Sequence, residues 1–225
     1  VFTAHLVHPW ISKLLSGQHS RAKKLAVGFT ISFGVSLLAA LVATGNVVMN
    51  GVTALIVAVG FANGLAAYCS WRAIDISLAK NSVFTFWDDI IGMGLSYLIL
   101  KEGQFLKWGS GSGILISVAA VMLYALYDYR KKRPASADAQ GSSLQFYFFV
   151  GAYSVIWGVA TFLMRKWGSV DEVPTTTFLA AWYLGSAVSV WLLDLVYRDS
   201  SFSQGGEQVW RWRDLAWSAA WAGSA

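Results

Sequence analysis

Residues 81–100 read NSVFTFWDDIIGMGLSYLIL. This stretch has the length of a helix that crosses a bilayer, roughly 20 residues, and its charges are two adjacent aspartates near the middle, Asp88 and Asp89. Carboxylates at membrane depth are costly to keep there, so they mark a functional site by default. At 100° per residue, Asn81, Thr85, Asp88, Gly92 and Ser96 share one face with Asp89 on its edge. Phe84, Phe86, Ile90, Ile91, Leu95 and Leu98 cover much of the remainder. Lipid cannot satisfy a polar stripe, so it must face other helices or water. The plainer alternatives are one Asp paired with a basic residue on a neighbouring helix, or both carboxylates lying shallow and snorkelling.

The rest of the chain agrees with membrane depth. Hydrophobic residues make up 56% of the 225 and charged residues 13%, and the charges cluster, leaving long neutral stretches, as in a polytopic membrane protein. Residues 25–71 carry no charge and are long enough for two crossings, divided where Gly45, Asn46, Asn50 and Gly51 gather turn-forming residues. Further crossings are predicted at 81–100, 108–127, 144–164 and 174–193, six in all. Residues 1–15 lack the charged region and small-residue cleavage site of a signal peptide and read as the tail of an earlier helix. Residues 215–225 open a further apolar segment too short to span. The expectation is a fragment truncated at both ends. Cys69, the single cysteine, says little about compartment.

A net charge of +5 does not imply nucleic acid, because the placement of charge matters more than its sum. Lys13, Arg21, Lys23, Lys24, Arg72, Lys80, residues 130–133, Arg198, Arg211 and Arg213 fall on one side of the predicted crossings, thirteen of the 17 basic residues. Lys101, Lys107, Arg165 and Lys166 fall on the other. The positive-inside rule puts the larger group in the cytoplasm, which suits a multi-pass protein of a plasma (inner) membrane. Residues 134–143, rich in Ala, Ser and Gly, read as a flexible linker.

Small-residue stripes recur. Thr53, Gly60, Gly64, Ala67 and Trp71 share a face with Asn63 beside it, and the Gly60 to Gly64 spacing suits close helix packing. Tyr147, Gly151, Ser154, Gly158, Thr161 and Arg165 form a second stripe, with Trp157 at its margin. The glycines, Gly92 included, read as packing positions. Asn63, Trp71, Ser154, Trp157 and Thr161 line either helix contacts or a cavity near the midplane, where transporter sites lie. Trp108, Trp167, Trp210 and Trp212 read as interfacial anchors. Enzyme chemistry finds little support: His5 and His8 make a weak metal case, His19 lies in a basic loop, and Gly109, Gly111 and Gly113 lack the Lys of a phosphate-binding loop. No catalytic residue, metal or cofactor is expected. The expected partners are the lipid bilayer, a small-molecule substrate and protons.

Residues 68–113, YCSWRAIDISLAKNSVFTFWDDIIGMGLSYLILKEGQFLKWGSGSG, resemble the end of an EamA-type domain of the drug/metabolite transporter superfamily. The resemblance rests on a Tyr/Ala-rich helix end, a short turn, a helix closing in a Leu-x-Glu signature (Leu100, Lys101, Glu102) and a glycine-bearing last helix. Residues 153–193, opening YSVIWGVATFLMRKW and followed by a turn at Pro174, resemble the start of a second such domain. The resemblance implies an all-α transmembrane bundle of two inverted five-helix repeats, with substrate crossing a central cavity by alternating access. The first repeat would occupy residues 1–133, the linker 134–143, and the start of the second 144–225. Two departures stand out. The family often has a proline near the middle of its fourth helix, where this chain has Asp89, so charge stands in place of a kink. The family usually has a cytoplasmic N-terminus, which the charge distribution reverses. Three readings compete: a secondary carrier coupled to protons through Asp88 and Asp89, a channel or structural membrane subunit, and a membrane-embedded enzyme, for which no constellation is evident.

Overall fold

The computed structural model describes residues 21–45, 50–102, 107–131, 137–169 and 173–196. The expected terminal segments, His5, His8, His19, Asn46, Trp210 and Trp212 lie outside the described residues. Those described form helices and short connections, with no strand among them. In order they are α1 (Arg21–Thr44), α2 (Gly51–Ile76), α3 (Leu78–Phe84), α4 (Trp87–Ile99), α5 (Trp108–Lys131), α6 (Ala137–Ser169) and α7 (Thr175–Val196). Five of these, α1, α2, α5, α6 and α7, are long and apolar enough to span a membrane. The chain is therefore a polytopic helical membrane protein by architecture.

Local chemistry explains the punctuation. Gly45 adopts φ +68° and its N–H returns to the Leu41 carbonyl at 2.9 Å, a left-handed stop that glycine makes without a Cβ penalty. Asn50 starts α2, its side-chain oxygen accepting from the Thr53 N–H at 2.8 Å. Ser77 serves two helices: its N–H closes α2 on Ala73 O, and its hydroxyl oxygen accepts from the Lys80 N–H to open α3. Lys101, beyond the end of α4, takes φ +56°, a left-handed position usually given to glycine.

The predicted crossing at 81–100 is not one helix. Its ladder is interrupted at Thr85 and Phe86, leaving a 7-residue α3 and a 13-residue α4, each too short to span alone. No proline or glycine sits at the break. The backbone stays right-handed, with φ −60° and ψ −18° at Thr85 and φ −91° and ψ −3° at Phe86. Thr85 Oγ1 donates to Asn81 O at 3.1 Å, a local bond that bends helices. The expectation that charge replaces a kink is thus corrected: an interruption and the charges occur together. Of the predicted linker, residues 137–143 are helical, forming the first turns of α6.

The bundle packs α7 against α1 and α2, and α6 against α2 and α4. Three buried clusters hold it: Leu25, Phe29, Trp71 and Val190; Phe84, Phe146, Val150 and Tyr153; and Ile56, Trp167, Phe178 and Trp182. Trp167 was expected at the lipid interface, but it is buried with its ring 6.3 Å from Phe178. Trp108 is 91% exposed at the start of α5, as an anchor would be. Without a hydrophobic drive between helices in lipid, close backbone approach matters most. A Cβ on Gly60 would meet the carbonyl of Trp182, one on Gly64 would meet Ser189 Oγ, and one on Gly185 would meet Val57 O. Gly92 and Gly158 play the same part where α4 crosses α6. Gly151, expected among the packing glycines, is exposed and an added Cβ there meets nothing within 4 Å. Straight helices touch only near their crossing point, and Gly151 lies two turns before it.

Candidate functional site

The polar stripe of α3 and α4 faces the polar stripe of α6, and the two helices run in the same direction. Asn81, 3% exposed, accepts through Oδ1 from the Tyr153 hydroxyl at 3.0 Å. Further along, an added Cβ on Gly158 would lie 2.9 Å from the backbone oxygen of Asp88, and one on Gly92 would lie 3.1 Å from Gly158 O. At the far end Arg165 donates to Glu102 at 2.9 Å. At the near end Lys80 pairs with Asp128 of α5 at 2.7 Å, and the Tyr147 hydroxyl of α6 donates to the same carboxylate at 3.1 Å. The interrupted helix is thus tied to its neighbours at both ends and in its middle.

Asp88 and Asp89 occupy the first turn of α4, immediately after the break. Phe86 caps α4 with no side-chain hydrogen bond, so the orphan N–H groups of the first turn, and the positive end of the helix dipole, are met by negative side chains close by. That placement stabilises the helix start whatever else it does. Both carboxylates are half-buried. Asp88 Oδ1 is buried with no hydrogen-bond partner among the described residues, and so is Nε1 of the adjacent Trp87. Buried polar atoms are normally satisfied, so an acceptor and a donor left over side by side at a helix break set this place apart. Thr85 and Ser96 each donate to a carbonyl one turn back in their own chain, Ser96 Oγ to Gly92 O at 3.0 Å.

The remaining candidates separate from this group. Trp157 Nε1 donates to Asn63 Oδ1 at 2.7 Å, Asn63 Nδ2 donates to Ser186 Oγ at 2.8 Å, and Ser186 Oγ reaches Gly60 O at 2.9 Å. Asn63 and Trp157 therefore spend their polar groups locking α2, α6 and α7 together. Trp157 still stacks obliquely on Tyr153, ring centroids 5.2 Å apart, so the lock touches the Asp88 region. Trp71 packs in the cluster between α1, α2 and α7. Ser154 is buried at 3% exposure one residue after Tyr153. Thr161 is exposed, and an added Cβ on Gly92 would lie 3.1 Å from its Cβ and 3.2 Å from its Cγ2. Sequence reasoning missed Ser186 and Ser189, which face α2 at the Gly60 and Gly64 contacts. Their four-residue register with Trp182 and Gly185, small residues in an apolar helix, was the available signal.

Among the described residues no group of three His, Cys, Asp or Glu side chains is placed to hold a metal ion. No family model matches the chain, and neither a curated protein nor a solved structure does.

Proposed function

We propose that the chain forms part of a secondary carrier that moves a small solute across a plasma (inner) membrane by alternating access, with Asp88 and Asp89 exchanging a proton for a cationic or amine-bearing substrate. The observation that carries this reading is the interrupted helix α3–α4, with a buried carboxylate oxygen of Asp88 left unpartnered in the first turn after the break. Carriers build their sites from discontinuous helices near the midplane, and irregular backbone at membrane depth is tolerated where it is covered by protein or lines a cavity. The acidic pair already meets the positive end of α4, so an anionic ligand gains nothing there, whereas a proton or a cation does. In this reading the family is the EamA-type permeases, the architecture is two inverted five-helix repeats, and the basic end faces the cytoplasm.

A second reading draws on the same first turn. Two acidic residues at a helix start stabilise that start, and in this reading the pair is structural, in a channel or a membrane subunit. Flux measured on the full-length protein in proteoliposomes separates these: saturation and competition between substrates support a carrier, flux that rises linearly with concentration supports a channel, and no flux with any of a broad solute panel supports a structural subunit.

A further inference from the structure

α5 is the sparsely packed member of the long helices. In its first half an added Cβ at Gly109 or Gly113 meets nothing within 4 Å, and Leu115 and Ile116 are exposed. Its attachments to the bundle lie in the second half, toward the basic end. There Val121 is buried and Tyr124 packs edge-on against Phe84, centroids 6.2 Å apart. Phe84 is itself 5% exposed and makes the same kind of contact with Phe146 and Tyr147, at 6.0 and 5.8 Å. One turn further out, Asp128 receives Lys80 Nζ on both oxygens, at 2.9 and 2.7 Å, and the Tyr147 hydroxyl at 3.1 Å. Lys80, Phe84 and Asp88 follow one another at four-residue spacing, so these two layers lie successively above Asp88 on the way to the basic end.

We infer that the last turns of α5 are a gate over the basic end of the Asp88 stripe, latched by Asp128 on Lys80 and Tyr147 and plugged by Phe84 against Tyr124. The latch is charge-assisted and bidentate, the strong kind of hydrogen bond, and it is half-withdrawn from solvent, with side chains 20% and 15% exposed. The helix it holds has few other contacts, and elements that move are drawn from such weakly attached parts. The moving part is α5, which leaves Lys80 and Phe84, while α3 stays on α6 through Asn81 and Tyr153 and α4 keeps its close crossing on α6 at Gly92 and Gly158. Closure here protects the carboxylate from the basic side; release of the latch opens it. This inference rests on the carrier reading for its purpose, though not for its test.

The test uses the full-length protein with Cys69→Ser and a reporter cysteine, Ser154→Cys, two helical turns inward from Tyr147. An impermeant methanethiosulfonate is applied to the basic end in vesicles of known orientation, with no substrate present. The reporter should be protected when the latch is intact. Asp128→Asn and Lys80→Met should each raise its labelling rate from that end about tenfold, the population shift expected from losing one charge-assisted bond. Tyr147→Phe removes only a hydroxyl, keeps the ring on Phe84 and so guards against misfolding of the charge variants; it should give a smaller rise in the same direction. The swapped pair Lys80→Asp with Asp128→Lys should restore protection. Rapid labelling with the latch intact, or rates unchanged in Tyr147→Phe and in whichever charge variants fold, overturns the gate. Labelling as expected in a protein that shows no saturable flux contradicts the carrier reading and leaves the gate standing.

Discussion

The hydroxyl of Tyr153 donates to Oδ1 of Asn81 across 3.0 Å, with both side chains buried. This bond fixes the register of α6 on α3 one turn before the helix break, and with it the height at which Asp88 meets Gly158. Tyr153→Phe should lower stability by about 1–3 kcal/mol, because it leaves the Asn81 oxygen buried and unpaired. Denaturation in detergent micelles checks this, and an unchanged transition would mean that Asn81 finds another donor at no cost.

Packing glycines make a sharper contrast. Gly60→Ala should cost about 1–3 kcal/mol or more, since its methyl group would run into the Trp182 carbonyl, which is backbone and cannot rotate away. Gly151→Ala should be neutral or slightly stabilising, because the added methyl meets open space and Ala favours the helix by about 1 kcal/mol over Gly. The two mutants belong in one thermal unfolding series, and equal behaviour would remove the crossing geometry from the account.

Lys101 offers a stabilising change. Its φ of +56° places a Cβ where glycine is preferred, so Lys101→Gly should raise stability by about 1 kcal/mol if the left-handed turn is kept. A loss instead would show that the lysine side chain contributes more than its backbone strain removes.

Orientation is open to direct labelling. Ala79 and Lys107 are exposed at opposite ends of the bundle. In a Cys69-free protein, Ala79→Cys should resist an impermeant thiol reagent in intact cells and react after permeabilisation, while Lys107→Cys should react at once. The reverse pattern would restore the family's usual orientation and reverse the charge argument.

Periodicity made much of this legible. Asn81, Asp88, Gly92 and Ser96 fall on one face by arithmetic alone, and that face does meet α6, at Tyr153 and Gly158. The division of residues 25–71 was equally readable, because Gly45 and Asn50 carry their own stop and start chemistry. The break at Thr85 was not, since neither proline nor glycine marks it and a threonine bending its own helix through Asn81 O looks, in sequence, like any threonine. Trp167 misled for a related reason: a tryptophan near a segment end can face lipid or Phe178 with the same spacing. Asn63 and Trp157 were recognised as polar positions, but their mutual bond, and the part of Ser186 in it, depends on the third helix that brings them together.

Proton exchange at Asp88 is tested by transport through Asp88→Asn in the full-length protein, reconstituted and assayed with and without an imposed pH gradient. Asn keeps the size and much of the hydrogen bonding of Asp88 while removing its proton exchange. Carriage of the proton by Asp88 predicts a folded protein, monodisperse in detergent, whose uptake is the same with and without the imposed gradient. Gradient-driven uptake equal to the unmodified protein in Asp88→Asn, and again in Asp88→Asn combined with Asp89→Asn, would contradict it and leave the pair as a helix-start device of α4.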